Sequence, residues 1–86
     1  MNIWTEDKNA LSKTFEFNSF AAAMNWMQKA SIEIEKMDHH PTWTNTYNKV
    51  HVILSTHDAG NVVTEKDRKL AQKLDEVSLG ANDLLP

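Results

Sequence analysis

The chain changes its hydrophobic period near Asn18, and that change limits the folds open to it. Before it, Leu11, Phe15 and Phe17 alternate with Ser12, Thr14 and Glu16, the two-residue period of a strand with one buried face. Lys13 falls on the apolar side of that alternation and interrupts it. After it, Phe20, Ala23, Met24, Met27, Ala30, Ile34 and Met37 recur at spacings of three and four. They form one apolar stripe of a helix running to about Asp38. Asn18 is the expected N-cap, since its side chain can accept from the free amides of the first turn. Pro41 ends the helix, because the residue before a proline is pushed out of the α region. Trp26 and Ile32 fall on the two flanks of the stripe, where they would cover a second contact surface such as a subunit interface.

The remaining elements follow from the same reading. Ile3-Trp4-Thr5 is short and β-prone, and Asp7-Lys8-Asn9 supplies turn chemistry, so the first seventeen residues read as a hairpin. A second β segment covers roughly Thr46 to Thr56. Val50, Val52 and Leu54 share its core parity, while Tyr47, Lys49, His51, Ile53 and Ser55 share the other. Periodicity leaves open whether this segment is one long strand or a bent pair. His57-Asp58-Ala59-Gly60-Asn61 is turn-like. Thr64 opens a last helix with Asp67 three residues on, a capping box, and Gly80 stands where a C-cap glycine is common. Leu70, Leu74, Val77 and Ala81 make the buried stripe of that helix. The expected fold is a two-layer α+β domain over residues 1–86, β-β-α-β-β-α, with helices on one face of an antiparallel four-stranded sheet.

Size and charge narrow the function classes. A chain of 86 residues buries only about 60–65 % of its unfolded surface, so a lone core is marginal. With no cysteine, neither disulfides nor cysteine-ligated zinc can support it, and assembly into a homo-oligomer is expected. The formal charge of −3 and the lack of a basic run argue against nucleic-acid binding, which is driven by counterion release at basic surfaces. No signal peptide and no membrane span can be read, so a cytoplasmic location is expected. Two glycines cannot build a phosphate-cradling loop. Glu33 and Glu35 lie two apart on a helix and cannot act as a facing carboxylate pair. Lys66, Arg68, Lys69 and Lys73, interspersed with Glu65, Asp67, Asp75 and Glu76, read as an ordinary solvated helix face.

What remains is histidine. His39 and His40 end the first helix and His57 follows the strand, at loop positions where functional groups collect. Imidazole, with an unperturbed pKa near 6.5, can take or give a proton at neutral pH. The plainer reading of the adjacent pair is a solvated helix end, where imidazolium complements the dipole. His51 sits mid-strand on the non-core parity and reads as packing or interface. A metal site from His39, His40 and His57 with Asp38 or Asp58 has the right donor atoms. Its spacing matches no standard pattern, and a dedicated metal site is not expected.

Together these residues carry a resemblance. The run Glu35-Lys36-Met37-Asp38-His39-His40-Pro41-Thr42-Trp43, followed by the aromatic Tyr47, by His57 and by Asp67, resembles the defining segment of the pterin-4a-carbinolamine dehydratases. The likeness extends from Trp4 to about Val77. The loop from His57 to Asp67, with Asn61-Val62-Val63, is one residue longer than usual. The chain starts just before Trp4, without the further N-terminal helix common in the family, so its oligomer contacts would be made without one.

The resemblance implies removal of water from a 4a-hydroxytetrahydropterin to give the quinonoid dihydropterin, with no metal and no organic cofactor. That step recycles the cofactor of aromatic amino-acid hydroxylases, which would be its functional partners. It implies His39, His40 and His57 as the proton-transfer set. Pro41 and the segment Ser55, Thr56, Asp58 and Ala59 would line the pterin, with Glu35 and Asp38 orienting imidazoles. Trp43 would stack on the ring or pack in the core. It also implies two alternatives: a protein-interaction module of the transcription-coactivator kind, and a dehydratase-like protein acting on another pterin.

Overall fold

The computed structural model describes residues 3–79. Strands β1 (Thr5–Asp7) and β2 (Ala10–Glu16), helix α1 (Phe20–Met37), strands β3 (Thr42–Thr46) and β4 (Lys49–Leu54), a 3₁₀ turn (His57–Ala59) and helix α2 (Glu65–Ser78) follow in that order. The strands form one sheet in the order β1-β2-β4-β3, every pairing antiparallel. Leu11, Phe15, Phe17, Val50, Val52 and Leu54 from the sheet meet Ala22, Ala23, Trp26, Ala30, Ile34, Leu70, Ala71 and Leu74 from the helices in one core. The opposite parity of β4, Lys49, His51 and Ile53, is exposed. The α+β architecture is thus the expected one, with both helices on one face of the sheet.

Local details depart from expectation. The first strand begins at Thr5, not Ile3, because Lys8 and Asn9 take positive φ (49° and 69°) and close a tight turn that pairs Asp7 with Ala10. The α1 N-cap is Ser19 rather than Asn18: its extended backbone lets the hydroxyl accept from the Ala22 amide at 3.1 Å. The segment from Thr46 to Thr56 is not continuous. Tyr47, at φ 52°, turns the chain, so β3 lies in the alternating Thr42–Thr46 stretch and pairs back on β4. Gly80 and Ala81, expected as cap and buried stripe, lie outside the described residues.

The helix stripe is also rotated from its expected centre. Trp26, placed on a flank by spacing, is fully buried, while Phe20 is 47 % exposed. Ala22, Ala23 and Ala30 are small enough to bring α1 close to the sheet, and Trp26 fills the space between them. Its ring centroid lies 4.4 Å from Phe15, 5.4 Å from Phe17 and 6.0 Å from Trp43. Its indole N–H donates to the Leu74 carbonyl at 3.4 Å and so ties α1 to α2.

Lys13, the break in the strand's apolar parity, is held rather than exposed. Its ammonium lies 2.6 Å from Asp75 Oδ1 and 4.6 Å from the Phe15 ring centroid, and Trp4 Nε1 donates to Asp75 Oδ2 at 3.0 Å. This cluster fastens β2 and the residue before β1 to α2. Lys13→Met keeps most of the stem but loses the pair. It should lower stability by about 1–2 kcal/mol, above the range of surface pairs because the Lys13 side chain is only 12 % exposed. An unchanged urea midpoint would remove the pair from the forces holding the sheet to α2.

Candidate active site

The end of α1 is built to split two adjacent histidines. Asp38 caps the helix in the left-handed region (φ 50°, ψ 44°), its N–H bonded to the Glu35 and Ile34 carbonyls. The chain leaves at an angle that sends His39 inward and His40 outward. His39 Nε2 donates to Asp67 Oδ1 at 2.6 Å, between side chains 11 % and 0 % exposed. His40 Nε2 donates to Glu35 Oε1 at 2.7 Å in solvent.

His57 is delivered from the other side. After β4 the chain folds back, with Thr56 N–H bonded to the Val62 carbonyl and Asn61 N–H to the Thr56 carbonyl. The reversal uses Gly60 at φ 90° and Asn61 at φ 60°, the first a conformation that any other residue would hold under strain. Asn61 then returns its side chain to the ring it has turned, accepting from His57 Nδ1 at 3.1 Å.

Asp67 joins these elements. The buried carboxylate accepts from His39, from the Thr56 hydroxyl at 2.7 Å and from the Thr64 amide at 2.8 Å, the last being one arm of the α2 capping box. Because the single Thr56 proton goes to Asp67, the 2.6 Å contact between the two threonine hydroxyls is a donation from Thr64. Burial pushes the Asp67 carboxyl up. The bonds from His39, Thr64 and Thr56, with the His39 charge, outweigh it and hold the group below its ordinary value of 3.8.

A cleft of about 170 Å³ opens between these elements, lined by Asp38, His39 and His40 from the end of α1, by Ser55, Thr56 and His57 after β4, and by Lys66 from α2. Six of the residues expected at the site are therefore brought together. Glu35 stands outside the lining and holds His40. Pro41 is half-buried and does not line the cleft. Trp43, half-buried, packs against Trp26 at the edge of the core, and Ala59 lines an adjoining cavity. The Asp58 side chain lies outside the described residues. Among those residues, no group of three His, Asp or Glu side chains is placed to hold a metal ion. His51, as expected, lies on the solvent side of the sheet, its Nδ1 2.8 Å from Thr14 Oγ1.

One member of the site, Lys66, was not read as such from sequence, and another, Asp67, was read only as a helix cap and a position of the resemblance. Asp67 carries a capping signal that hides its second bond to His39. Lys66 is one cation of an unremarkable helix face, and only the docking of the first α2 turn beside His57 brings it to the cleft.

Each of the three cleft imidazoles has one ring nitrogen tied to an acceptor oxygen of Asp67, Glu35 or Asn61, which fixes its orientation and leaves the second nitrogen available. The chain is thus a small two-layer α+β domain with three oriented imidazoles at one cleft. The sequence profile of the family described as pterin 4 alpha carbinolamine dehydratase matches residues 1–77, and the chain belongs to that family.

A relative from Opitutus terrae, provisionally named a pterin-4-alpha-carbinolamine dehydratase, is 47 % identical over 75 residues, covering 87 % of this chain and 77 % of its own. The crystal structure of a transcriptional coactivator/pterin dehydratase from Brucella melitensis superposes with a TM-score of 0.83 at 40 % identity, over 87 % of this chain and 81 % of that one. A pterin dehydratase-like protein described as a RuBisCO assembly factor of the alpha-carboxysome shares the fold. Its TM-score is 0.74 at 23 % identity, over 88 % of this chain and 89 % of that one.

Proposed function

We propose that this chain dehydrates a 4a-hydroxytetrahydropterin to the quinonoid dihydropterin. The observation that carries the reading is the set of three anchored imidazoles, each with one free nitrogen, around a single cleft. The step needs a base for the N5 proton and an acid for the departing hydroxyl. His39 is suited to the base: as the ring takes a proton, the buried Asp67 carboxylate supplies the opposing charge. His57 is suited to the acid, because its partner is the neutral Asn61 amide. The N5–H electron pair forms the C4a–N5 double bond as the C4a–O bond breaks. The hydroxyl takes the His57 proton and leaves as water. Exchange with solvent, which His40 can relay from its exposed position, restores both rings.

The test is a stopped-flow assay following loss of the 4a-hydroxypterin absorbance. Acceleration over the uncatalysed rate is expected at catalytic protein concentrations; a rate independent of protein would overturn the reading.

A second reading, a protein-contact module, draws on Ile32, which stands 56 % exposed on α1, and on the coactivator description of the Brucella melitensis relative. A pull-down with and without a cleft-filling pterin separates the two readings, since only contacts made through the cleft respond to the ligand.

A further inference from the structure

Two of the cleft histidines are tied by opposite ring nitrogens. His39 is held through Nε2, so its free nitrogen is Nδ1; His57 is held through Nδ1, so its free nitrogen is Nε2. The partners differ as well, a buried carboxylate for the first and the neutral Asn61 amide for the second. An amide oxygen accepts a hydrogen bond but brings no charge. It can fix where a neutral ring keeps its one proton without holding a second proton on the ring.

The loop keeps that amide in place. His57 opens the 3₁₀ turn, and Asn61 closes the reversal at φ 60°, in the left-handed region that asparagine adopts more readily than most residues. The Asn61 N–H bonds to the Thr56 carbonyl at 3.0 Å, and the Gly60 N–H to the His57 carbonyl at 3.0 Å. Held from both sides, the two side chains lose little further freedom when they pair. The same Thr56 gives its hydroxyl to Asp67, which holds His39. One residue therefore carries the partner groups of both rings.

In the proposed reaction the protonated His57 ring gives its Nε2 proton to the departing hydroxyl. The Nε2–H bond breaks, its electron pair stays on Nε2, and the new O–H bond completes water. The ring left behind is neutral with its proton on Nδ1, and that is the neutral form from which the Asn61 oxygen accepts. A carboxylate at the same position would instead hold the ring in its charged form before transfer.

We propose that Asn61 is a positioning residue for the dehydration: its side-chain oxygen keeps the proton of neutral His57 on Nδ1 and so makes Nε2 the nitrogen that hands a proton to the leaving hydroxyl. This rests on the pterin dehydratase reading of the histidine cleft.

Two variants of the full chain separate the parts. Asn61→Gly removes the amide and adopts the left-handed backbone without strain. Asn61→Asp keeps the acceptor and adds a charge. Imidazole ¹⁵N NMR at alkaline pH reads the tautomer with no substrate present. Neutral His57 should carry its proton on Nδ1 in the wild type and in Asn61→Asp, and the Nε2–H form should appear in Asn61→Gly. In turnover, Asn61→Gly should lose about tenfold in kcat at unchanged KM, the low end of what such a partner contributes. In Asn61→Asp the alkaline limb of the kcat–pH profile should move up by about one unit, because an opposite charge favours the charged ring. Asp38, His39, His40 and Lys66, which line the same cleft, are the same in both variants, so the shift is read against a constant background.

A neutral wild-type His57 with its proton on Nε2, a tautomer or a kcat unchanged in Asn61→Gly, or an Asn61→Asp profile that moves only in its acid limb overturns the inference. Each can occur in an enzyme with normal wild-type turnover, so each leaves the dehydratase reading intact. A wild type that shows the expected tautomer and no turnover sinks the dehydratase reading, and the acid role of His57 with it.

Discussion

His57→Ala should lose about 10²- to 10⁴-fold of dehydratase turnover with no loss of stability. The size is what a positioned general acid or base contributes. The ring is exposed and its one partner, Asn61, lies on the same loop, so truncation leaves no buried group stranded. His39 needs a gentler substitution, because alanine there would strip the buried Asp67 carboxylate of one donor. His39→Gln retains a donor but no titratable nitrogen, and should match the kinetic loss of His57→Ala. His51→Ala is the control: it sits on the opposite face of the sheet and should change neither turnover nor the unfolding midpoint by a measurable amount. Wild-type turnover in both His57→Ala and His39→Gln would remove imidazole acid–base chemistry from this cleft.

Asp67→Ala should be the most destabilising single change in the site. It strands three donors, His39 Nε2–H, the Thr56 hydroxyl and the Thr64 amide, around a fully buried position. Removing one member of a buried charged cluster costs about 3–5 kcal/mol, a large part of the stability of a small domain. Asp67→Asn keeps one acceptor oxygen and should fold, with lower kcat because His39 loses its counter-charge.

The pH dependence has a definite sign. The folded carboxyl titrates below its ordinary 3.8, so the ionised form is favoured by folding. Its contribution is fully present above about pH 4 and is lost as pH falls through the folded value. Asparagine has no such term. The stability gap between wild type and Asp67→Asn should narrow as pH falls below about 4. Urea midpoints at pH 7 and pH 3 measure it; an equal gap at both would mean that the charge of Asp67 contributes nothing.

The contrast between what spacing revealed and what it hid has a physical pattern. The change of period at Asn18, the parity of Val50, Val52 and Leu54, and the Thr64/Asp67 cap were legible because each is a repeat or a local motif. The same sequence misplaced Trp26, since the rotation of α1 about its axis depends on which residues let it approach the sheet. Strand β3 was hidden because Thr42–Thr46 is an edge strand of mostly polar residues, with no apolar run to mark it. At the site, the histidines and the Ser55–Thr56 step were found by position and by resemblance. Lys66 was not, because its place depends on how α2 docks. Trp43 was left between ring-stacking and core, and it packs half-buried against Trp26 at the edge of the core.

The capping box of α2 has a bearing on how this protein would fail on warming. One carboxylate both starts a helix and braces the His39 ring, and helix ends are where local opening begins. Fraying of a single turn, with the sheet and core untouched, would release His39 from its brace. Catalysis would then fade at temperatures where the bulk of the molecule is still folded, and that early fade would reverse on cooling because no global rearrangement had taken place.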